Sequence, residues 1–439
     1  MKHILLFGAG KSATVLIQYL LRLSQQLQWR VTIVDGNAGS IQEKIMGNYP
    51  LVKGAIINLE NETERVAYIQ ESDLVISLMP PALHIIIARD CVSFKKHLLT
   101  ASYIDDSMRA LQPAIEQNDL LFLCEMGLDP GIDHMSAGRL IHSIHTQQGI
   151  ISSFQSHCGG LVAPENDTNP WHYKISWNPR NVVMAGKSGA VYKQNNEIVS
   201  VPYSSLFAKN ETVSIPHFQS YVCYPNRDSL SYIGLYDLQK AHTFVRTTLR
   251  HPHFCIGWRF IVDWQLTNEE KVYATDGLSI QGFFLQHFSS LHIDSAYELK
   301  PDTIIYNQLV YLGLNDNNTL INKGLCSAAD VLQWLLETRL PLLPDDKDLV
   351  VMMHELKYTI QNQSFRAKSY LVVEGKDDSY TAMAQTVGLP LGIAAKLILE
   401  GVIRLTGLHI PLSPVIYHPV LSELETEGIR FTEEVELLS

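Results

Sequence analysis

The chain has little of what would mark a secreted, metal-built or nucleic-acid-binding protein. Its six cysteines, Cys91, Cys124, Cys158, Cys223, Cys255 and Cys326, are scattered so that no two stand within thirty residues of each other. Zinc and redox motifs need thiols at short paired spacing, so reduced cysteines and no metal are expected. Basic residues are outnumbered, 34 Lys and Arg against 45 Asp and Glu, for a formal charge of -11. A nucleic-acid partner needs a basic face and is excluded; an anionic small molecule would have to be met by individually placed arginines. No apolar run approaches bilayer length, which predicts no membrane partner. A strand-like run follows Met1-Lys2 at once, leaving no room for a cleavable leader, and a cytoplasmic location is expected.

What is present is core material. Hydrophobic residues make up 46% and charged residues 18% of 439 positions, more than one ordinary core holds, so two or three domains are expected. Apolar runs at His3 to Phe7, Arg30 to Val34, Ala55 to Asn58, Leu74 to Leu78, His97 to Ala101 and Leu120 to Cys124 alternate with helix-like stretches at Ala13 to Leu27, Ala82 to Phe94 and Met108 to Gln117. That alternation predicts an α/β fold with a doubly wound parallel sheet. From Ile150 to Phe260 the texture becomes that of a mixed, mostly antiparallel sheet, and from about Trp264 to Leu340 it turns helical, most clearly at Ala328 to Thr338. Strands return at Leu349 to Leu356 and Ser369 to Val373. The last helical stretch, Ala382 to Ile403, contains Gly388, Pro390 and Gly392 and is expected to break there.

Ile4-Leu5-Leu6-Phe7-Gly8-Ala9-Gly10-Lys11-Ser12-Ala13 reads as strand, glycine turn and helix start, with G-x-G-x-x-A spacing. Gly8 makes the tight turn, Gly10 admits a pyrophosphate close to the backbone, and Ala13 lets helix and strand pack closely, while the helix N-terminus offers free N–H groups. Gly10-Lys11-Ser12 also fits the end of a nucleoside-triphosphate loop, a reading disfavoured by Leu5, which stands where that motif needs its first glycine. A glycine turn without a ligand remains the alternative. Asp35 ends the second strand, where a carboxylate accepts ribose hydroxyls and repels a 2'-phosphate, so NAD is favoured over NADP. The rival role for Asp35 is a turn residue in Asp35-Gly36-Asn37. Ser77, Leu78, Met79 and Pro80 close the fourth strand at the edge where dinucleotides bind.

Longer motifs follow: Thr100-Ala101-Ser102-Tyr103, Gly127 to His134 (GLDPGIDH), Cys158 to Glu165 (CGGLVAPE), Tyr224 to Ser229 (YPNRDS), Thr248-Leu249-Arg250 and Ala382 to Pro390 (AMAQTVGLP). With these the chain resembles the glutamate-forming saccharopine dehydrogenases, or saccharopine reductases. The resemblance implies a Rossmann domain of residues 1–129 plus about 390–439. It further implies an α/β substrate and dimerisation domain of 130–262 plus about 345–389, a small helical domain of about 263–344, and a homodimer. Val182 to Gly189 departs from the family pattern.

The implied activity is oxidation of saccharopine, a glutamate and a lysine skeleton sharing one secondary amine. A hydride leaves the carbon beside that nitrogen, and water hydrolyses the imine to L-glutamate and 2-aminoadipate 6-semialdehyde. The amine must be neutral to supply its lone pair, and three carboxylates call for guanidinium forks. By resemblance, Arg227 and Arg250 hold carboxylate, Thr248 and Leu249 assist beside Arg250, Asp129 holds the free ammonium, and Ser102, Tyr103 and Cys158 touch substrate. Each has a plain alternative: a surface or ion-paired arginine beside Asp228, a helix-capping Asp129, a half-buried Tyr103, a Cys158 that is only a small hydrophobe. No residue identifies itself as the base; Cys158, His157 and Tyr103 are weak candidates, and His134 is one more histidine able to relay a proton. A carboxynorspermidine dehydrogenase-like enzyme and a non-catalytic cofactor sensor are the rival functions.

Overall fold

The computed structural model describes residues 1–292 and 299–438. They form two compact units, one of Met1–Gly149 with Ser379–Thr432 and one of Ile150–Asp378 with Glu433–Ser439. The helical stretch 263–344 falls inside the second unit.

The first unit is built on a parallel sheet. Its leading strands are β1 (His3–Phe7), β2 (Arg30–Asp35), β3 (Val52–Ile56), β4 (Leu74–Ser77), β5 (His97–Thr100) and β6 (Leu121–Leu123). Their order is β3-β2-β1-β4-β5-β6, with Gly407–His409 added beyond β6, all paired in parallel. The chain winds outward from β1 in both directions, so the carboxyl ends of β1 and β4 are the switch point where ligands bind in such sheets. Every residue of β1 and β4 is buried, as expected of strands covered on both faces.

Two expectations fail at the helix Ala382–Leu399. It runs unbroken through Pro390. The reason is packing: a Cβ on Gly388 would lie 2.9 Å from the Leu16 nitrogen and one on Gly392 would lie 2.6 Å from the Tyr19 ring, so the two glycines let this helix press onto Thr14–Leu27. That contact outweighs the hydrogen bond Pro390 removes. The helix also has the length and apolarity of a membrane span, contrary to the sequence reading, yet 78% of it is buried in the fold, which makes it a core helix.

The second unit is organised by the long strand Ile150–Val162, flanked in parallel by Thr243–Arg250 and antiparallel by Asp348–Ile360. Beside this sheet, Trp171, Phe254, Trp258, Phe283, Leu332 and Leu335 belong to one hydrophobic cluster. Helix Ala328–Arg339 begins at a capping box in which Ser327 and Asp330 satisfy each other's backbone N–H.

Candidate functional site

In the first unit the glycine loop leaves β1 as the motif demands. Gly8 has φ +101, and a Cβ there would meet the Leu78 carbonyl at 2.8 Å, so only glycine fits. Gly10 faces open space, with nothing within 4 Å of a Cβ, as a loop that admits a pyrophosphate must. Lys11–Ala13 form a short 3-10 turn, which includes Ser12, leading into helix Thr14–Leu27, and Ala13 is buried. Asp35 reaches back to this loop: its Oδ2 accepts from the Ala9 N–H at 2.7 Å and its Oδ1 from the Asn37 N–H at 2.8 Å. The Lys44 ammonium donates to the Ala9 carbonyl at 2.6 Å. Ser77 ends β4; Leu78 donates its N–H to the Phe7 carbonyl, and Met79 and Pro80 lead into helix Pro81–Ser93.

Ser77 and Ser102 are joined through a residue the sequence reading missed. His84 Nδ1 bonds the Ser77 hydroxyl at 2.8 Å and its Nε2 bonds the Ser102 hydroxyl at 2.8 Å. Burial holds His84 down at about 4, so the ring is neutral. Tyr103 donates its hydroxyl to Asp129 Oδ1 at 3.2 Å. Asp129 does not cap the following helix: Ile132–Thr146 begins at Gly131, whose N–H is taken by Asp133 Oδ1 at 2.6 Å. Glu125, also unflagged by any motif, is buried and pairs with His134 Nε2 at 2.8 Å.

In the second unit, strand alternation sorts the candidates onto two faces. Arg246, Thr248 and Arg250 share one face, and Cys158 and Tyr224 are both register partners of Thr248. His157 and Thr247 are paired on the opposite face, bonded at 2.7 Å, and burial with the nearby His354 pushes His157 down to about 3. Leu249 is fully buried among Leu161, Val213 and Leu349. Arg227, just past strand Ser220–Pro225, is exposed and has φ +51. Its neighbour Asp228 accepts from the Leu230 N–H.

Arg250 is the distinctive group. It is 4% exposed, stacks its guanidinium over Tyr173 at 5.3 Å and Phe254 at 5.4 Å, and donates Nη1 to the carbonyls of Leu249 and Gly160. Its Nε has no partner, and among the described residues no carboxylate pairs with it. A buried cation without a counter-ion is costly unless an anion arrives from outside.

Comparison with known proteins fits both units. Residues 4–123 match the model of the saccharopine dehydrogenase NADP binding domain, and residues 127–429 match that of the saccharopine dehydrogenase C-terminal domain. The chain belongs to the saccharopine dehydrogenase family. It is 31% identical to saccharopine dehydrogenase [NADP(+), L-glutamate-forming] of Saccharomyces cerevisiae, over 99% of both chains. A solved saccharopine dehydrogenase (L-Glu forming) from the same yeast superposes with a TM-score of 0.87 at 30% identity, covering 99% of this chain and 100% of that one. The chain is also 31% identical to the alpha-aminoadipic semialdehyde synthase of Arabidopsis thaliana, but spans only 39% of that relative's length. Membership makes the first unit a nicotinamide-dinucleotide domain, as the glycine loop indicated. The family model and the yeast relative are named for NADP, which runs against the NAD expected from Asp35.

Proposed function

We propose that this chain is an oxidoreductase acting on saccharopine, oxidising it to L-glutamate and 2-aminoadipate 6-semialdehyde. The observation that carries the reading is Arg250, a buried guanidinium with no carboxylate partner among the described residues, suited to a substrate rich in carboxylates. Arg250 binds one substrate carboxylate, and the tyrosine and phenylalanine rings beside it hold the fork flat. Arg227, from the second motif, takes another. Asp129, kept in place by the Tyr103 hydroxyl, holds the free ammonium group. The half-buried Thr248 and the Cys158 thiol line the Arg250 face.

A bound nicotinamide would supply the acceptor for the hydride that leaves the carbon beside the substrate nitrogen. Gly8 to Ala13 would hold the pyrophosphate of a bound dinucleotide, with Ser77 to Pro80, at the end of β4, beside it. The substrate amine releases its proton before oxidation, and water adds to the resulting imine. The neutral His84, bridging the Ser77 and Ser102 hydroxyls, keeps both side chains in fixed orientations.

For the cofactor's 2' position we favour NAD, because the Asp35 carboxylate ends β2 and would repel a 2'-phosphate, although the relatives are named for NADP(+). The same reading takes the protein as a cytoplasmic homodimer, to be checked by light scattering of the purified chain.

The test is a saccharopine-dependent rise in nicotinamide absorbance with each cofactor. Activity with saccharopine, faster with NAD than NADP, is expected. No change with either cofactor would sink the reading.

A further inference from the structure

Three imidazoles converge where helix Pro252–Asp263 begins. His251 is its N-cap, His253 lies in its first turn, and His172 comes from the loop after strand Ile150–Val162. One ring nitrogen from each lies within 4.8 Å of the other two. His172 Nε2 stands 3.0 Å from His253 Nδ1, and the rings of His172 and His251 stack at 3.7 Å between centroids. The motif reading, searching cysteine spacing, expected no metal and passed over this group.

The arrangement has a backing layer. His172 Nδ1 bonds Asp167 Oδ2 at 2.7 Å, which fixes the ring's orientation and leaves Nε2 facing its neighbours. Carboxylate–histidine pairs of this kind orient imidazoles in metal sites and raise their basicity. The second Asp167 oxygen is buried and has no partner.

Both loops carrying the histidines are braced. Trp171 and Tyr173, on either side of His172, are each 1% exposed. Buried Gln308 donates its amide to the Pro170 carbonyl at 3.0 Å and to the His253 carbonyl at 2.9 Å, tying the His172 loop to the start of the helix. The three rings are therefore held together before any ligand arrives. His172 and Asp167 retain side-chain exposures of 25% and 23%, so an ion can reach them from solvent.

We propose that His172, His251 and His253 form a binding site for a divalent transition metal of the zinc class, with Asp167 as the residue that positions His172. Imidazole nitrogen suits zinc, copper and nickel, whereas magnesium and calcium prefer oxygen. Zinc–nitrogen bonds of about 2.0–2.1 Å put two tetrahedral ligands about 3.3 Å apart, so the His172–His253 pair need only open by a few tenths of an ångström. Three protein nitrogens leave one tetrahedral position to water. The site adjoins Arg250 in sequence but involves none of the groups assigned to saccharopine.

The test uses the full chain, stripped with chelator, dialysed and titrated with cobalt(II) chloride alone. One cobalt per chain is expected, with the visible spectrum of a tetrahedral site, displaced by zinc chloride. Asp167→Asn should weaken binding about 10–100-fold. The double variant His172→Ala/His253→Ala should lose the spectrum, while His142→Ala, an exposed histidine elsewhere, should keep it. Retention of the spectrum in the double variant, or no stoichiometric binding by the wild type, would overturn the proposal. Zinc-edge X-ray absorption on the unmutated protein gives a readout independent of variant folding: three imidazole nitrogens support the site, and fewer refute it.

Discussion

Asp35 Oδ2 accepts the backbone N–H of Ala9, 26 residues earlier, at 2.7 Å, so the residue at the end of β2 is a structural part of the glycine loop. One carboxylate therefore braces the phosphate loop while standing where a ribose is held. Its two functions separate experimentally.

In Asp35→Ala the glycine loop loses one hydrogen bond to a charged acceptor, from Ala9, and the turn after β2 loses another, from Asn37, each worth about 1.5–3 kcal/mol. Dinucleotide KM should rise for NAD, and the NAD to NADP ratio in kcat/KM should fall roughly tenfold or more. An unchanged ratio with both KM values raised would show that Asp35 only shapes the loop.

Arg250→Met removes a buried charge that has no carboxylate partner among the described residues. Saccharopine kcat/KM should fall by about 2–5 kcal/mol in transition-state terms, roughly thirtyfold at least, while Tm holds or rises. The opposite pattern, a large drop in Tm with normal saccharopine KM, would make Arg250 a structural cation.

His84 and His157 are both neutral when folded, held down at about 4 and about 3 from an ordinary 6.5. The unfolded chain protonates them below 6.5 and the folded one does not, so the stability they contribute is complete above 6.5 and is lost as pH falls towards 4. Each adds about 1.4 kcal/mol per pH unit in that window. Urea midpoints measured at pH 7 and pH 5 should differ less in His157→Gln than in the wild type; identical differences would mean the ring charges in the native state.

Gly388→Ala places a Cβ 2.9 Å from the Leu16 nitrogen. In an open helix that change would stabilise by about 0.5–1 kcal/mol. Here overpacking should reverse the sign and cost about 1–3 kcal/mol. Calorimetry should show a lower Tm, and dinucleotide KM should rise because Thr14–Leu27 carries the loop; a raised Tm would mean the helices can part without cost.

The parallel sheet was legible because burial on both faces writes itself locally: Ile4 to Phe7 of β1 and Leu74 to Ile76 of β4 are unbroken apolar runs, and the glycine turn after β1 needs only ten consecutive residues. Helix Ala382–Leu399 was misjudged because Pro390 is a local signal while the grooves at Leu16 and Tyr19 that reward continuity are hundreds of residues away. His84 was invisible for a related reason. Its partner Ser77 ends β4 and its partner Ser102 lies just past the end of β5, and only the β4–β5 pairing brings them to one ring.

The sequence alone determined the dinucleotide fold, the glycine loop and the family, because those depend on short-range periodicity and on motifs read in order. Tertiary structure decided what the side chains do. It put Arg250 and Thr248 on one strand face and His157 on the other, left the Arg250 charge without a carboxylate among the described residues, and gathered His172, His251 and His253 from segments about eighty residues apart. Charge pairing and ligand geometry depend on distances across the fold, and the pattern along the chain does not contain those distances.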